Sequence, residues 1–569
     1  MITVTRSAVA VAVALAATGA AKAADMAVKA PAYKAPALVA SWGGFYVGTG
    51  IGFRSSESNV NVNSATDTSA PAVLQNMFVA ADCFAGLPCV NGQSLNGTAF
   101  RVSPYLGYNW QIGRTVLGVE GEFGYADQTT TLNGSTYPAT PFFTPSASNS
   151  FSVKTSWDAS IRGRAGYLVD PALLLYGTAG PSWIHVETTA NCSTLREADG
   201  PCQPGGFAPA TITDAQTKLG YTVGGGIEAM LWPNWIVRAE YRFSDYGRFS
   251  NTDIRTVGPS TQTVNYDTTL RTHTATFGLA YKFGDAPASA NSMAAYAAMP
   301  STASWTGVYL GAGAGVRANQ TTATLDRATE LQSGLPAFDP LSGCCFLSNG
   351  YDTTSARFSP YVGYNWQFNP KWIVGIEGDF GFANAQATRS GEYLPGPAFG
   401  SSRGLNDSYG IKTSWDASIR ARLGYVINPS MMVYLTGGGA WMRVEETSRC
   451  DTAAQGLLTA PGFNGYEIGD CAAGLKSPAV ITQSKVQPGF TIGAGGEMKL
   501  WSNWIARAEY RYSDFGTARF NQSRSCDGSA TVTASFGTAT FNCQETDLTT
   551  TAVRLQTHAA TFGIAYKFD

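Results

Sequence analysis

The chain has 569 residues, of which only 14% are charged and 12% aromatic, with 26 Tyr, 29 Phe, 13 Trp and 63 Gly. Its 38 Lys and Arg against 40 Asp and Glu leave a net charge of −2, and the mean hydropathy is −0.07. That balance excludes an electrostatic nucleic-acid binder, which carries a clear basic excess, and aromatic-rich segments along the whole length exclude wholesale disorder.

The first element is an address. Arg6 gives a short positive stretch, Ala8 to Ala21 an apolar run of about a dozen residues, and Ala21-Lys22-Ala23 a small-residue cleavage site, the plan of a secretory signal peptide over 1–23. The run is too short for the ~20 apolar residues of a membrane-crossing helix, and no later stretch is long enough either. Residues 24–40, with Pro31 and Pro36, read as a periplasmic linker.

From 41 to 283 the hydrophobic pattern has period two. Eight alternating segments stand at about 44–54, 99–111, 114–126, 151–168, 173–187, 217–230, 235–247 and 269–283. Tight turns near Gly113, Asp170-Pro171 and Pro233-Asn234 join the second to the third, the fourth to the fifth and the sixth to the seventh. The other connections run from about twenty to over forty residues. Short turns on one rim, long loops on the other and an even strand count form the pattern of an outer-membrane β-barrel.

An Ala/Ser/Pro stretch at 284–303 reads as a linker, and 304–569 then repeats the first unit. Lys154-Thr-Ser-Trp-Asp-Ala-Ser-Ile-Arg162 recurs unchanged at Lys412 to Arg420, Ser103-Pro104-Tyr105 at Ser359 to Tyr361, and the stretch from Trp232 to Asp245 at Trp501 to Asp514. The expected fold is all-β, two tandem eight-stranded antiparallel transmembrane β-barrels. The alternative is one 16-stranded barrel, a diffusion porin for small solutes, since barrels of that size hold an aqueous channel.

Alternation also separates the two faces. In the seventh segment Val237, Ala239, Tyr241 and Phe243 oppose Arg238, Glu240 and Arg242. Carried through the unit, strict alternation puts Arg54, Arg101, Glu120, Glu122, Lys154, Asp158, Arg162, Arg164, Glu228, Arg238, Glu240, Arg242 and Lys282 on the inner face. The second unit has charges of like sign at Arg317, Arg357, Glu377, Asp379, Lys412, Asp416, Arg420, Arg422, Glu497, Arg507, Glu509, Arg511 and Lys567. Eight cations thus face five anions in each lumen. Side chains fill a barrel of eight strands, and charges buried there must pair, so we read an ion-pair plug that closes each lumen. The other reading is a conducting path, which a cationic excess would make anion-selective.

The ten cysteines fit an oxidising compartment. Cys83 with Cys89, Cys192 with Cys202, Cys450 with Cys471 and Cys526 with Cys543 are neighbours that would staple the long loops, whereas vicinal Cys344 and Cys345 are hard to pair with one another. No Cys or His spacing suits a metal, and no cofactor is expected. Of the three histidines, His273 and His558 occupy equivalent places facing lipid near the loop rim, with no acid in sequence reach, and His185 ends the fifth segment. A barrel lipid deacylase would need a serine beside such a histidine, but Ala275 and Ala560 follow instead, so no enzyme is expected.

Trp42-Gly43-Gly44-Phe45-Tyr46-Val47-Gly48, Arg238-Ala239-Glu240-Tyr241-Arg242 and Phe277-Gly278-Leu279-Ala280-Tyr281-Lys282-Phe283 resemble the opacity-type, OmpA-like surface-antigen barrels of alphaproteobacteria, here in tandem. The resemblance implies eight-stranded barrels in the outer membrane of a Gram-negative bacterium, with an envelope-structural and surface-antigen or adhesin-like role, and haem binding in some members. A haem or small-molecule uptake receptor is therefore a second alternative. The partners it implies are outer-membrane lipid, the barrel-assembly machinery and an unknown extracellular ligand, with no nucleic acid.

Overall fold

The computed structural model describes residues 41–68, 76–79, 82–83, 90–133, 137, 139–140, 149–192, 209–232, 234–257, 260–284, 304–332, 348–390, 393–395, 407–450, 476–500, 503–534 and 537–568. The expected signal peptide, the 24–40 linker and all but Gly284 of the 284–303 linker lie outside them.

In each repeat eight long antiparallel strands close into a ring. The first ring is β1 (Gly44–Asp67), β2 (Gly97–Ile112), β3 (Thr115–Asn133), β4 (Ser150–Asp170), β5 (Leu173–Asn191), β6 (Thr211–Trp232), β7 (Trp235–Val257) and β8 (Ser260–Lys282). The second is β9 (Gly307–Gln332), β10 (Thr353–Gln367), β11 (Trp372–Ser390), β12 (Ser408–Asn428), β13 (Met431–Arg449), β14 (Val480–Lys499), β15 (Trp504–Ala534) and β16 (Gly537–Lys567). β8 returns to pair with β1, Tyr46 opposite Lys282, and β16 with β9, Tyr309 opposite Lys567. Among the described residues no ladder joins a strand of one repeat to a strand of the other. This overturns the single 16-stranded barrel and the diffusion porin built on it. The closing seam is tight for a stated reason: Gly52 and Gly315 lie so near the returning strand that a Cβ there would stand 1.9 and 2.0 Å from a backbone carbonyl. The predicted turns are present, with Gly113 at φ 61° and Asn234 at φ 68° supplying left-handed residues.

The strands outrun their sequence signal. The connection read as a loop between the seventh and eighth segments is the upper half of the β7–β8 hairpin, paired up to Val257 opposite Ser260. Its faces have changed places. Low on β8, Leu279 is exposed on the outside, while higher up Val264, Tyr266 and Leu270 are buried inside. Once a strand leaves lipid its outer face meets water, so the same alternation continues with its apolar side turned inward.

An exposed apolar belt marks the lipid-facing part, with Phe100, Val102, Leu106, Tyr108 and Trp110 on β2 and Phe358, Val362, Tyr364 and Trp366 on β10. From Phe100 to Trp110, a rise of ~3.3 Å per residue tilted by ~40° gives about 25 Å, the height of an outer-membrane apolar band. Inside, each ring has three layers. Trp42, Tyr46, Tyr105, Leu174 and Tyr176 pack at the short-turn end of the first. A charged layer follows, and an apolar cluster with Val62, Phe151, Ile184 and Tyr266 fills the loop end. The second ring repeats the plan with Trp305 and Tyr309 below and Tyr409, Met442 and Phe520 above.

The two rings touch. Phe53 points outward from β1 yet is fully buried, packed with Ala275 against Ala318, Ala560 and Tyr510. Near the short turns Leu173 and Ala229 meet Met431 and Met498. Ala275 and Ala560, Leu173 and Met431, and Ala229 and Met498 are equivalent positions of the repeat, so the contact is self-complementary, like that of a two-fold dimer. Toward the loops it becomes polar, with Thr354 Oγ1 2.6 Å from Ser55 Oγ, Gln320 donating to the Thr98 carbonyl at 2.5 Å and Asn133 to that of Ser348 at 2.7 Å.

Candidate functional site: the charged lumen

Alternation in β1, β2, β3, β4, β6 and β7 aims five carboxylates and six arginines at the axis of the first ring. Arg54 pairs with Asp158 at 2.7 Å and Arg101 with Glu122 at 2.6 Å. Arg162 holds Glu122 and Glu240, both at 2.7 Å, and also Glu120. Arg164 reaches Glu228 at 2.7 Å, Arg238 joins Glu228 at 3.0 Å to Glu120, and Arg242 reaches Glu122 at 2.9 Å. All eleven are buried. Tyr46 donates to Glu120 at 2.7 Å, Tyr176 to Glu240 at 2.6 Å, and the Arg238 guanidinium lies 3.9 Å from the centre of the Tyr105 ring. Aromatic faces thus compensate part of the surplus positive charge.

The second ring repeats this pair by pair. Arg317 meets Asp416 at 2.6 Å, and Arg357 meets Asp379 at 2.7 Å. Arg420 reaches Glu509 at 2.9 Å, Arg422 reaches Glu497 at 2.6 Å, Arg507 reaches Glu377 at 2.7 Å and Arg511 reaches Asp379 at 2.7 Å. The cavity among Arg357, Glu377, Arg420, Arg507 and Glu509 measures about 10 Å³, room for one water at most. Lys282 and Lys567 are buried at the short-turn mouths, near the carbonyls of Gly43 (3.4 Å) and Thr306 (3.2 Å).

Lys154 and Lys412 are not in the lumen, contrary to strict alternation. Their side chains are 38% and 43% exposed and lie near Asp127 (3.4 Å) and Glu445 (3.9 Å). The cause is a β-bulge in each copy of the repeated nonapeptide. Against β5, Ser156 and Trp157 of β4 stand opposite the single residue His185, and against β13, Ser414 and Trp415 of β12 stand opposite Arg443 alone. Matching slips on the other side fall between Tyr125 and Gln128 of β3 and between Phe382 and Ala385 of β11. One extra residue reverses the faces beyond it, so Lys154 and Lys412 turn outward while Asp158 and Asp416 stay in. Arginines take carbonyls freed at the bulges: Arg54 donates to Ala126 O at 2.7 Å and Arg317 to Ala383 O at 2.7 Å. Each lumen therefore holds six arginines against five carboxylates, with a lysine at its mouth.

Sequence reasoning missed a second set of buried charges because they lie in segments read as loops. Arg255 donates to Pro209 O at 3.1 Å and Ala190 O at 2.9 Å, and its counterpart Arg524 to Pro478 O at 3.2 Å and Ser448 O at 2.9 Å, tying two strands to the segment that leads into a third above the belt. Their signal was the inward alternation of Asn251, Asp253 and Arg255. Burial pushes the Asp253 carboxyl up to about 6, against the hydrogen bond from Tyr137 and the charge of Arg255. Asp352, half-buried between the rings, is pushed up to about 7 by desolvation, against backbone N–H groups of Thr321 in its own ring and Thr98 in the other.

Cys192, Cys450 and Cys526 are each disulfide-bonded. Their partners, like Cys89, Cys202, Cys344, Cys345, Cys471 and the Cys83 and Cys543 side chains, lie outside what the structure describes, so the expected pairing stays a proposal. His273 is not without an acid: Nε2 is 3.5 Å from Glu57, and Nδ1 is 2.8 Å from the Tyr241 hydroxyl. His558 keeps the tyrosine, Tyr510 at 2.8 Å, but has Gln320 at 3.4 Å in place of the acid. Its outward position is covered by the first ring, with Phe53 5.7 Å away between ring centres. His185 stacks on Trp157 at 5.8 Å.

Comparison with known proteins agrees with this architecture. The family described as "outer membrane protein beta-barrel domain" matches residues 9–283 and again 286–568. The 31 kDa outer-membrane immunogenic protein of Brucella melitensis is 29% identical over 222 residues, 39% of this chain and 75% of that protein. The 22 kDa outer membrane protein of Rhizobium leguminosarum is 33% identical over 142 residues, 25% of this chain and 50% of that protein. A solved Pseudomonas aeruginosa FadL homologue aligns over 94% of this chain and 93% of that one at 9% identity, with a TM-score of 0.24, too low to bear on fold or function.

Proposed function

From the premise that this chain belongs to the outer-membrane protein β-barrel family and carries its domain twice, we propose that it is an envelope-structural surface antigen that presents its loop-side extensions to the exterior in an adhesin-like role. The observation that carries this reading is the pair of filled lumens. In each, six arginines and five carboxylates take up the axis, and Trp42 and Trp305 are buried at the short-turn ends. A diffusion path would need space that these side chains occupy. What remains available for recognition is the outer side of the long hairpins, where strands continue past the belt around an apolar core. Lipid, the barrel-assembly machinery and an extracellular ligand are the partners this role requires.

Two measurements test it. The refolded mature chain in a planar bilayer should give silence or rare small openings; large, stable steps would overturn closure. Antibodies against residues 55–98 should bind intact cells, and binding only after the outer membrane is broken would overturn surface display.

A further inference from the structure

The bulge that turns Lys154 and Lys412 outward sets them at the upper edge of the apolar belt. Trp415 stacks on Phe380 at 5.4 Å, and Trp157 on Phe123 at 6.0 Å. Each lysine stands three residues above its tryptophan, on the side of the loops. Aromatic rings gather at the lipid–water boundary, and lysine stems lie along apolar surface while their ammonium groups reach the headgroups.

From here the two rings differ. In the second, Lys412 is opposite Glu445 across β12 and β13, its Nζ 3.9 Å from the carboxylate, and Arg443 lies 3.7 Å from the same group. Two cations, 43% and 45% exposed, share one carboxylate at the outer limit of ion-pair distance. Arg443 also donates to Ser484 Oγ at 3.4 Å. Exposed Trp441 and Ile419 continue the face down into the belt. In the first ring His185 takes the place of Arg443, and Lys154 meets two acids, Asp127 at 3.4 Å and Glu187 opposite it in the ladder. The same backbone thus presents a net positive face once and not twice.

We propose that the β12–β13 face of the second barrel binds the phosphorylated headgroup of an outer-leaflet glycolipid, with the phosphate between Lys412 and Arg443 and the acyl chains along Trp441 and Ile419. The phosphate oxygens accept charge-assisted hydrogen bonds from both cations and relieve the crowding of two positive groups around Glu445. The first barrel, with one lysine against two carboxylates, does not take such a headgroup.

The test uses the full chain in nanodiscs, titrated with bis-phosphorylated lipid A, with the same lipid after dephosphorylation, and with inorganic phosphate, and reads bound lipid by native mass spectrometry. Folding is monitored by the gel-mobility shift on heating. The double variant Lys412→Gln/Arg443→Gln should bind the bis-phosphorylated lipid about thirtyfold more weakly, since each cation near an anionic membrane surface contributes about fivefold. Arg443→His, which copies the first barrel, should lose part of that affinity. Lys154→Gln/His185→Gln should bind as the unaltered chain does. Unchanged binding by the double variant, or equal binding of the dephosphorylated lipid, would overturn the proposal. Inorganic phosphate binding as tightly as the lipid would overturn the lipid assignment.

Discussion

The two barrels are near-copies inside and different molecules outside. Every ion pair of the first charged layer has a counterpart in the second, down to Tyr46 and Tyr309 donating to Glu120 and Glu377 at 2.7 Å in both. On the outer wall, His185 faces Arg443 across the repeat, Glu57 faces Gln320, and Phe53 faces Val316. The lesson concerns how tightly each environment constrains a side chain. An axial carboxylate touches several arginines at once, so changing one leaves buried charges uncompensated. An outer-wall residue touches lipid, water or the sister barrel, and each tolerates a wider choice. Divergence collects where a single change costs little.

The largest way to break the interior equivalence is to remove one of its most connected acids. Glu120→Ala and Glu377→Ala each leave three arginines short of a partner and should destabilise their own barrel by about 3–5 kcal/mol, read as a lowered urea midpoint of the heat-modifiable folded band. Equal losses are expected for the two; a loss below about 1 kcal/mol in either would mean that its layer is hydrated and not plugged.

The contact between the barrels offers a second cut. Phe53→Ala removes a fully buried ring and should weaken the contact by about 3 kcal/mol, at the low end for a buried phenylalanine, while both folds remain. Spin labels on the two barrels should then show a broadened distance distribution, and an unchanged one would show that Phe53 does not hold them.

Asp352 makes that contact depend on pH. With its carboxyl raised to about 7, the joined state binds a proton that the separated, solvated state releases, so the contact is strongest below about pH 4 and weakens as pH rises toward about 7. Asp352→Asn should flatten the profile, measured as the same label distance from pH 5 to 8. A contact that tightens with rising pH would contradict the desolvation of this carboxyl in the joined state.

The smallest effect separates strict alternation from the observed bulge. Lys154→Met and Lys412→Met should each cost less than about 0.5 kcal/mol, because these lysines are partly exposed and loosely paired. A cost of several kcal/mol would return them to the lumen.

Much of this was legible in advance. Period-two alternation, the unequal connections and the repeated nonapeptide are local features, and they specified strand number, duplication and which arginines and carboxylates share a face. Lys154 and Lys412 escaped because a bulge adds one residue without altering composition. The upper strands escaped because their apolar side turns inward above the lipid, where Ser, Thr and Asn on the outside imitate a loop.

By itself, then, the amino-acid order determined two eight-stranded units with like-signed charges facing inward, since alternation follows directly from backbone geometry. Which strand edges close on which, where the register slips, and that Phe53 is covered by the sister barrel were decided only in three dimensions. Ring closure, bulges and the barrel contact depend on residues hundreds of positions apart competing for the same hydrogen bonds and the same space, and no local pattern records the outcome of that competition.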